Sequence, residues 1–429
     1  MRLHLTSTLA SAAALIHLVA CTTEGVSSLD PLAETPGPVD PGPVDPGPGD
    51  PGPVGPEAPG STLEARRRVL VSVADQVILP HLARFREQAG SLASAAAGLA
   101  TEPTDAARLE AARGAFHEAM TTWQAIEVLQ FGPAGLMSQV AGGEDIRDEV
   151  YSWPLSNRCR VDQETLQDAW RNPESLSGRA INVRGLDAME YLLFAPVGVN
   201  ACAPNSAINR DGLWAAETPG SIQARRYGYS ATAASLVQAQ AERLENLWLP
   251  SGGNFRSEFV QAGAGSRTYP TVQEALNALS DAMFYTEKEA KDMKLGRVIG
   301  IYECPTDTCP DAFESPFALR SGLNIDVNVI TFGDIYRGAP VGGQGFGFDA
   351  LLRASGQVDL ADRMTELLAA AESASASAIR TRLDTDLVGS LDDLRAAWEA
   401  IRVLMELFKT QFLSVLDLER PRRAEGDND

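Results

Sequence analysis

Histidine is scarce in this chain, with four in 429 residues. His4 and His17 fall in an N-terminal targeting stretch, which leaves His81 and His117. His117-Glu118 opens like a zinc-protease motif, but Thr121 stands where the second histidine belongs, so the HExxH pair is missing. Cysteine is also sparse, five in all, and none forms a CxxC pair, which argues against a zinc–thiolate site. No serine lies in a nucleophile elbow or another triad motif. Bases are outnumbered, 36 against 57 acids, the reverse of what phosphate binding needs, so a nucleic-acid partner is disfavoured. Alternating strand-like runs are few, and the apolar run at the N-terminus is too short for a membrane span.

What the chain has instead is carboxylates in apolar company. Residues 181–194 read as a helix entry opened by Gly185 and followed by Leu186, Met189, Leu192, Leu193 and Phe194. Asp187 and Glu190 sit three apart in this run, on one side of the helix. Acids there are costly unless something answers their charge, whether a cation, water at a cleft, or a basic neighbour such as Arg184. The plainer reading has Asp187 capping the first turn and Glu190 favoured by the helix dipole. Glu127, on a helix ending at Gly132-Pro133, and Glu314 are further candidates, each also readable as a solvated charge. Hard cations prefer such oxygen ligands, and bundles place carboxylates inward from facing helices.

The N-terminus carries Arg2 and an apolar run from Leu9 to Ala20 that ends Leu18-Val19-Ala20-Cys21. This resembles the bacterial lipobox, and the resemblance implies a signal peptide over 1–20 and a lipid on Cys21. An ordinary signal peptide with an accidental cysteine is the alternative. Thr22, in place of an acid, implies the outer membrane of a Gram-negative envelope, with lipid as the partner reached through Cys21. Residues 21–60 include a Pro/Gly-rich tether with repeats at 36–40 and 41–45, unable to build a core. Export makes disulfides plausible. Cys159, Cys202, Cys304 and Cys309 allow three pairings, and closeness in sequence favours Cys159–Cys202 with Cys304–Cys309.

From Ser61 the apolar spacing is helical. It predicts helices over 62–88 with a kink at Pro80, 104–130, 144–152, 161–171, 221–249, 270–292, 357–381 and 385–418, with a loop-rich middle over 296–350. The glycine-rich run 342–347 lacks the lysine and strand-to-helix setting of a phosphate cradle and reads as a loop. The last helix carries a heptad-like seam from Leu387 to Val415. Trp123–Leu129 echoes Trp398–Leu404, either as a duplicated unit or by chance. Pro250-Ser251-Gly252-Gly253 breaks the chain. These features predict an all-α fold of two helical-bundle halves, 61–250 and 251–420, with a cleft between them and a disordered tail over 421–429.

Taken in order, Trp123 to Pro133, Trp153-Pro154, Gly185 to Phe194, Arg225 to Trp248, Lys294-Leu295-Gly296, and Glu314-Ser315-Pro316-Phe317 through Tyr336-Arg337-Gly338 resemble the imelysin family of bacterial envelope proteins. The resemblance implies two all-helical halves around a functional cleft, an envelope lipoprotein and a link to iron uptake. The family's name comes from a proposed insulin-cleaving peptidase activity. Its signature is Gly-x-His-x-x-Glu. Gly185 and Glu190 match, whereas Asp187 replaces the histidine. That change weakens a zinc-peptidase reading and leaves iron or another divalent cation, since a carboxylate is the harder ligand. The sequence thus predicts a lipid-anchored protein binding a cation or small ligand at Asp187, Glu190, Glu127 and Glu314. The alternatives are a structural or protein-binding lipoprotein and, less favoured, a metallopeptidase.

Overall fold

Almost unbroken helix runs from Ser61 to Thr101 in the computed structural model, which describes residues 61–421. The signal segment, the tether with Cys21, and residues 422–429 lie outside the described residues. Helix α1, Ser61–Ser72, passes through a wide π-type turn, Val73–Ile78, into α2, Leu79–Thr101. The wide turn comes just before Pro80, which has no N–H to donate and crowds the carbonyl four residues back. The helix continues well past residue 88 because the following stretch, with Ala93, Ala95, Ala96 and Ala97, is rich in the strongest helix former.

Helix α3, Ala106–Glu127, starts where Asp105 accepts hydrogen bonds from the amides of Ala107 (2.8 Å) and Arg108 (3.2 Å). Helices α4, Gly185–Phe194, and α5, Pro219–Trp248, complete a first group with α2 and α3: α2 lies along α3 and α5, and α5 along α4. Phe85 and Trp123 meet in its core with ring centroids 5.1 Å apart.

The second group comprises α6, Val272–Met283, the wide-turn segment Thr286–Gly296, α7, Ser321–Arg337, α8, Val358–Ala374, and α9, Leu391–Leu407. α7 and α9 both pack on the 286–296 segment, and α8 packs on α9. α3 joins the groups by packing on α7, while α1 rests on α6 and on the helix Phe348–Ala354. Among the described residues there is no strand, and the fold is all-α. None of these helices is long and apolar enough to cross a membrane.

Helix α7 corrects the loop-rich reading of the middle. Its sequence is poor in strong helix formers and rich in β-branched residues, so local propensity points away from helix. It is buried along nearly its whole length, from Ser321 to Tyr336, and tertiary packing overrides propensity. The seam of α9 holds through Leu394, Ile401, Met405, Phe408 and Phe412, all buried. A π-type turn at Phe408–Phe412 then shifts the register, and Val415 leaves the core at 38% exposure. The run 342–347 folds back on the end of α7. A Cβ on Gly347 would lie 2.1 Å from the Tyr336 carbonyl oxygen, so only glycine fits this approach.

Candidate functional site

The site begins at Gly185, whose φ of +83° suits glycine alone, and where a Cβ would stand 2.6 Å from the carbonyl oxygen of Val150. That close approach seats the start of α4 against the short helix Ile146–Val150, beside Tyr151 and Ser152. Gly185→Ala is expected to cost about 2 kcal/mol in urea unfolding, from the strained backbone and the clash together. A cost within about 0.5 kcal/mol would show that the approach is not needed.

In the first turn of α4, Asp187 Oδ2 accepts a hydrogen bond from Ser152 Oγ (2.8 Å), while Oδ1 has no hydrogen-bond donor. Burial pushes its carboxyl up to about 6, against the opposing pull of Ser152 and nearby backbone amides. Glu190 Oε1 accepts from the amides of Phe317 (2.9 Å) and Ala318 (3.1 Å). Burial outweighs these bonds too and pushes Glu190 up to about 7.

Glu314 stands opposite, just ahead of α7. Its Oε1 accepts from Gln124 Nε2 (3.0 Å) and Tyr151 Oη (2.9 Å) and pairs with Lys294 Nζ (2.9 Å). Its Oε2 is buried without a donor. Lys294 also donates to Gln124 Oε1 (2.7 Å) and Asn328 Oδ1 (3.1 Å), binding α3, α7 and the 286–296 segment into one network. Tyr151 is the common neighbour. Burial first, then the fields of Glu314, Glu190 and Asp187, hold its phenol well above the ordinary range. Arg320 donates to the His117 carbonyl (2.8 Å) and Thr121 Oγ1 (3.0 Å), and feels Glu314, Tyr151 and Glu190 while burial lowers it to about 10.

The structure therefore gathers Asp187, Glu190 and Glu314 around Tyr151. Glu127 lies to one side, engaged by Tyr285 Oη (2.8 Å), Gln130 Nε2 (3.1 Å) and Arg147 Nε (3.5 Å). Tyr285 feels both Glu127 and Glu314, so one phenol separates the two environments. Arg184 does not answer Asp187: it turns to Glu149 Oε1 (2.6 Å). The sequence reading missed Tyr151 and Tyr285, and it took in Gln124, Lys294 and Arg320 only within stretches that carry the family resemblance. Tyr151, Gln124 and Tyr285 meet their carboxylate partners Glu314 and Glu127 across more than 150 residues, which leaves no local signal, and Arg320, close to Glu314 in sequence, stands in no motif that marks it.

A surface pocket of about 530 Å³ reaches Glu314. Trp153, Arg158, Arg297, Asp311 and Phe313 line it as well. Cys159, also on its wall, is bonded to Cys202, and Cys304 is bonded to Cys309 in the loop that follows Arg297.

The donors are hard oxygens of the kind iron, magnesium or calcium takes. Yet among the described residues no group of three or more His, Cys, Asp or Glu is arranged to hold a metal ion. The fully buried oxygens without a donor in the gathered set are Asp187 Oδ1 and Glu314 Oε2. The chemistry fits a hard cation, but the geometry offers only part of a coordination shell.

Residues 78–411 match the sequence model of the peptidase M75 family, imelysin. The chain belongs to the imelysin family. A relative of this imelysin-family chain is "Iron-regulated protein A" of Synechococcus elongatus, 26% identical over 266 residues. The match covers 62% of this chain and 62% of that protein, so the chain spans somewhat under two thirds of the relative's length. Among solved structures, an imelysin-like protein from Psychrobacter arcticum 273-4 aligns with a TM-score of 0.60 at 17% identity, over 83% of this chain and 97% of that one. A precursor from Parabacteroides distasonis, described as a candidate iron-regulated protein A, aligns with a TM-score of 0.57 at 13% identity, over 81% and 95%. These two likenesses bear on the fold, which is the imelysin fold.

Proposed function

We propose that this imelysin-family chain is a binding protein that holds a hard cation among Asp187, Glu190 and Glu314, and that it serves iron handling in the cell envelope. The observation that carries this reading is a buried charge mismatch. Three carboxyls surround Tyr151, and two fixed cations, Lys294 and Arg320, stand among them. Full ionisation leaves at least one negative charge unanswered among buried side chains. Such a site holds either a proton or a cation. The name of the Synechococcus relative favours iron, and the lipobox resemblance favours an outer-membrane anchor at Cys21.

In this reading Asp187 Oδ1 and Glu314 Oε2 contribute oxygen ligands. Glu190 gives up its proton as the ion enters, and Lys294 holds Glu314 in place. Calorimetric titration of the full chain with Fe²⁺ should show one ion bound per chain. Binding should weaken at least tenfold in the Asp187→Asn/Glu190→Gln variant, and should tighten as pH rises through about 6 to 7 because protons must leave. Equal affinity in wild type and variant removes these residues from the site. One observation favours a purely structural role instead: Glu314 Oε1 already has three donors. That role expects the double variant to change stability and no ion to bind.

A further inference from the structure

His117, half-buried on α3, belongs to no metalloprotease motif and stands outside the carboxylate set, yet α4 and α7 both reach its ring. Arg320, 2% exposed at the start of α7, brings Nη1 to 3.2 Å from His117 Nδ1. The same guanidinium donates to the His117 carbonyl (2.8 Å), Thr121 Oγ1 (3.0 Å) and Asn324 Oδ1 (2.8 Å). On the other side lies the end of α4, where the Phe194 ring meets the imidazole edge-on with centroids 5.2 Å apart. Phe116 flanks the imidazole as well, at 6.0 Å.

A guanidinium only donates, so a bond from Arg320 to Nδ1 requires a lone pair on that nitrogen. The imidazole proton is then on Nε2, and the ring is neutral. The charges around it favour that state. Arg320 faces it from α7 and Arg113 from the preceding turn of α3. The acid it feels is Glu110, which Arg113 takes at 2.9 Å. Glu118 turns to Gln88 (3.4 Å), and α4 presents the uncharged Phe194 ring. Burial first, then Arg320 and Arg113, hold the imidazole below its ordinary value. A proton on Nδ1 would set two donors and two positive charges face to face. Arg320 is buried and keeps three other acceptors, so the half-buried imidazole is the group that has to leave. Its departure removes one acceptor from Arg320 and the contact with Phe194. Arg320 closes the segment 314–320, which carries Glu314 and gives the Phe317 and Ala318 amides to Glu190.

We propose that His117 is an acid-sensitive latch: neutral, it pins the start of α7 and the end of α4 to α3, and protonated, it swings out and loosens the segment 314–320. As regulation of the carboxylate site the latch rests on the cation-binding reading above, whereas its motion needs no ion.

Carbon-13 labelling of histidine in the full chain, with His117→Asn to assign the signal, follows the ring by nuclear magnetic resonance. Above neutral pH the signal should be that of the Nε2–H tautomer, and it should titrate below the ordinary 6.5. Hydrogen exchange, corrected for the chemical rate, is then compared one pH unit above and one below that midpoint. Exchange over 314–322 should rise by about fivefold on acidification, while α8 changes by less than about twofold. Asparagine can accept from Arg320 but takes up no proton, so His117→Asn should hold 314–322 within about twofold. Glu190→Gln should keep the acid response, which separates the latch from protonation of Glu190. The inference is overturned by an Nδ1–H tautomer, by a midpoint at or above 6.5, or by a ring that stays neutral until the chain unfolds. Exchange that rises evenly along the chain, a response that persists in His117→Asn, or one that vanishes in Glu190→Gln overturns it too. His81 donates from Nδ1 to the Val77 carbonyl (2.7 Å) and so shows the opposite tautomer, which lets the wild-type spectrum decide where the variant fails to fold. No ion enters these measurements, so they can fail while Fe²⁺ still binds, and succeed where it does not.

Discussion

Replacing Arg226 with Met should cost about 3–5 kcal/mol of stability, the largest loss expected from a single change in this chain. Arg226 and Asp162 are both wholly buried, and Arg226 Nη2 lies 3.1 Å from Asp162 Oδ1. The guanidinium also donates to the carbonyls of Pro196 and Val199, each at 3.0 Å, and so fixes the loop that leaves α4. Asp162 Oδ2 in turn accepts from Tyr191 Oη (2.7 Å) and the Ala201 amide (2.8 Å). Methionine would fill much of the space and leave a buried carboxylate with its cation gone and two carbonyls without their donor. Urea unfolding monitored by circular dichroism measures the loss, and a value below about 1 kcal/mol would overturn the argument. Asp162→Asn made in the Arg226→Met background should recover part of it, because removing the orphaned charge removes much of the penalty.

That pair illustrates where sequence reading stops. Asp162 and Arg226 lie 64 residues apart, and nothing near either one names the other. Lys294 and Gln124 are 170 apart and meet only because the 286–296 segment packs against α7, which packs against α3. Asp187, Glu190 and Glu314 were legible for a different reason: an acid in an apolar run, or in a segment resembling a known family, is a local anomaly that needs no partner to be noticed. Glu127 showed the same anomaly and is answered separately, by Tyr285 and Arg147. Arg184 shows the reverse error. It is close to Asp187 in sequence, but it precedes α4 with extended backbone, φ −138° and ψ −179°, and its side chain pairs with Glu149. The all-α class and helices such as α3 and α5 could be read from 3.6-residue spacing and from punctuation such as Asp105 and Pro250. Helix α7 could not, because its residues favour helix only once they are surrounded.

Glu190→Gln should reverse its effect on stability with pH, and the sign follows from where the proton sits. In the folded chain burial raises Glu190 from 4.5 to about 7, so between these values the folded state keeps a proton that the unfolded chain has released. The stabilisation is fully present below the unfolded value and is lost as pH rises through the folded one. From about pH 5 to about pH 8 wild type should lose about 2 kcal/mol through this group. Glutamine cannot ionise, and its carbonyl oxygen still accepts from Phe317 and Ala318, so the variant should gain that amount relative to wild type over the same interval. His81 and His117 slope the other way, since burial lowers both and their contribution is lost as pH falls below about 6.5. Those residues are common to both proteins and drop out of the difference. Urea midpoints at the two pH values check the prediction, and an unchanging difference would mean that Glu190 ionises freely in the folded chain. The same measurement reports on function. An ion that replaces the proton should restore wild-type stability at high pH, and Fe²⁺ should do much less for the variant, because the charge that makes a proton costly to lose is the charge that makes a cation worth holding.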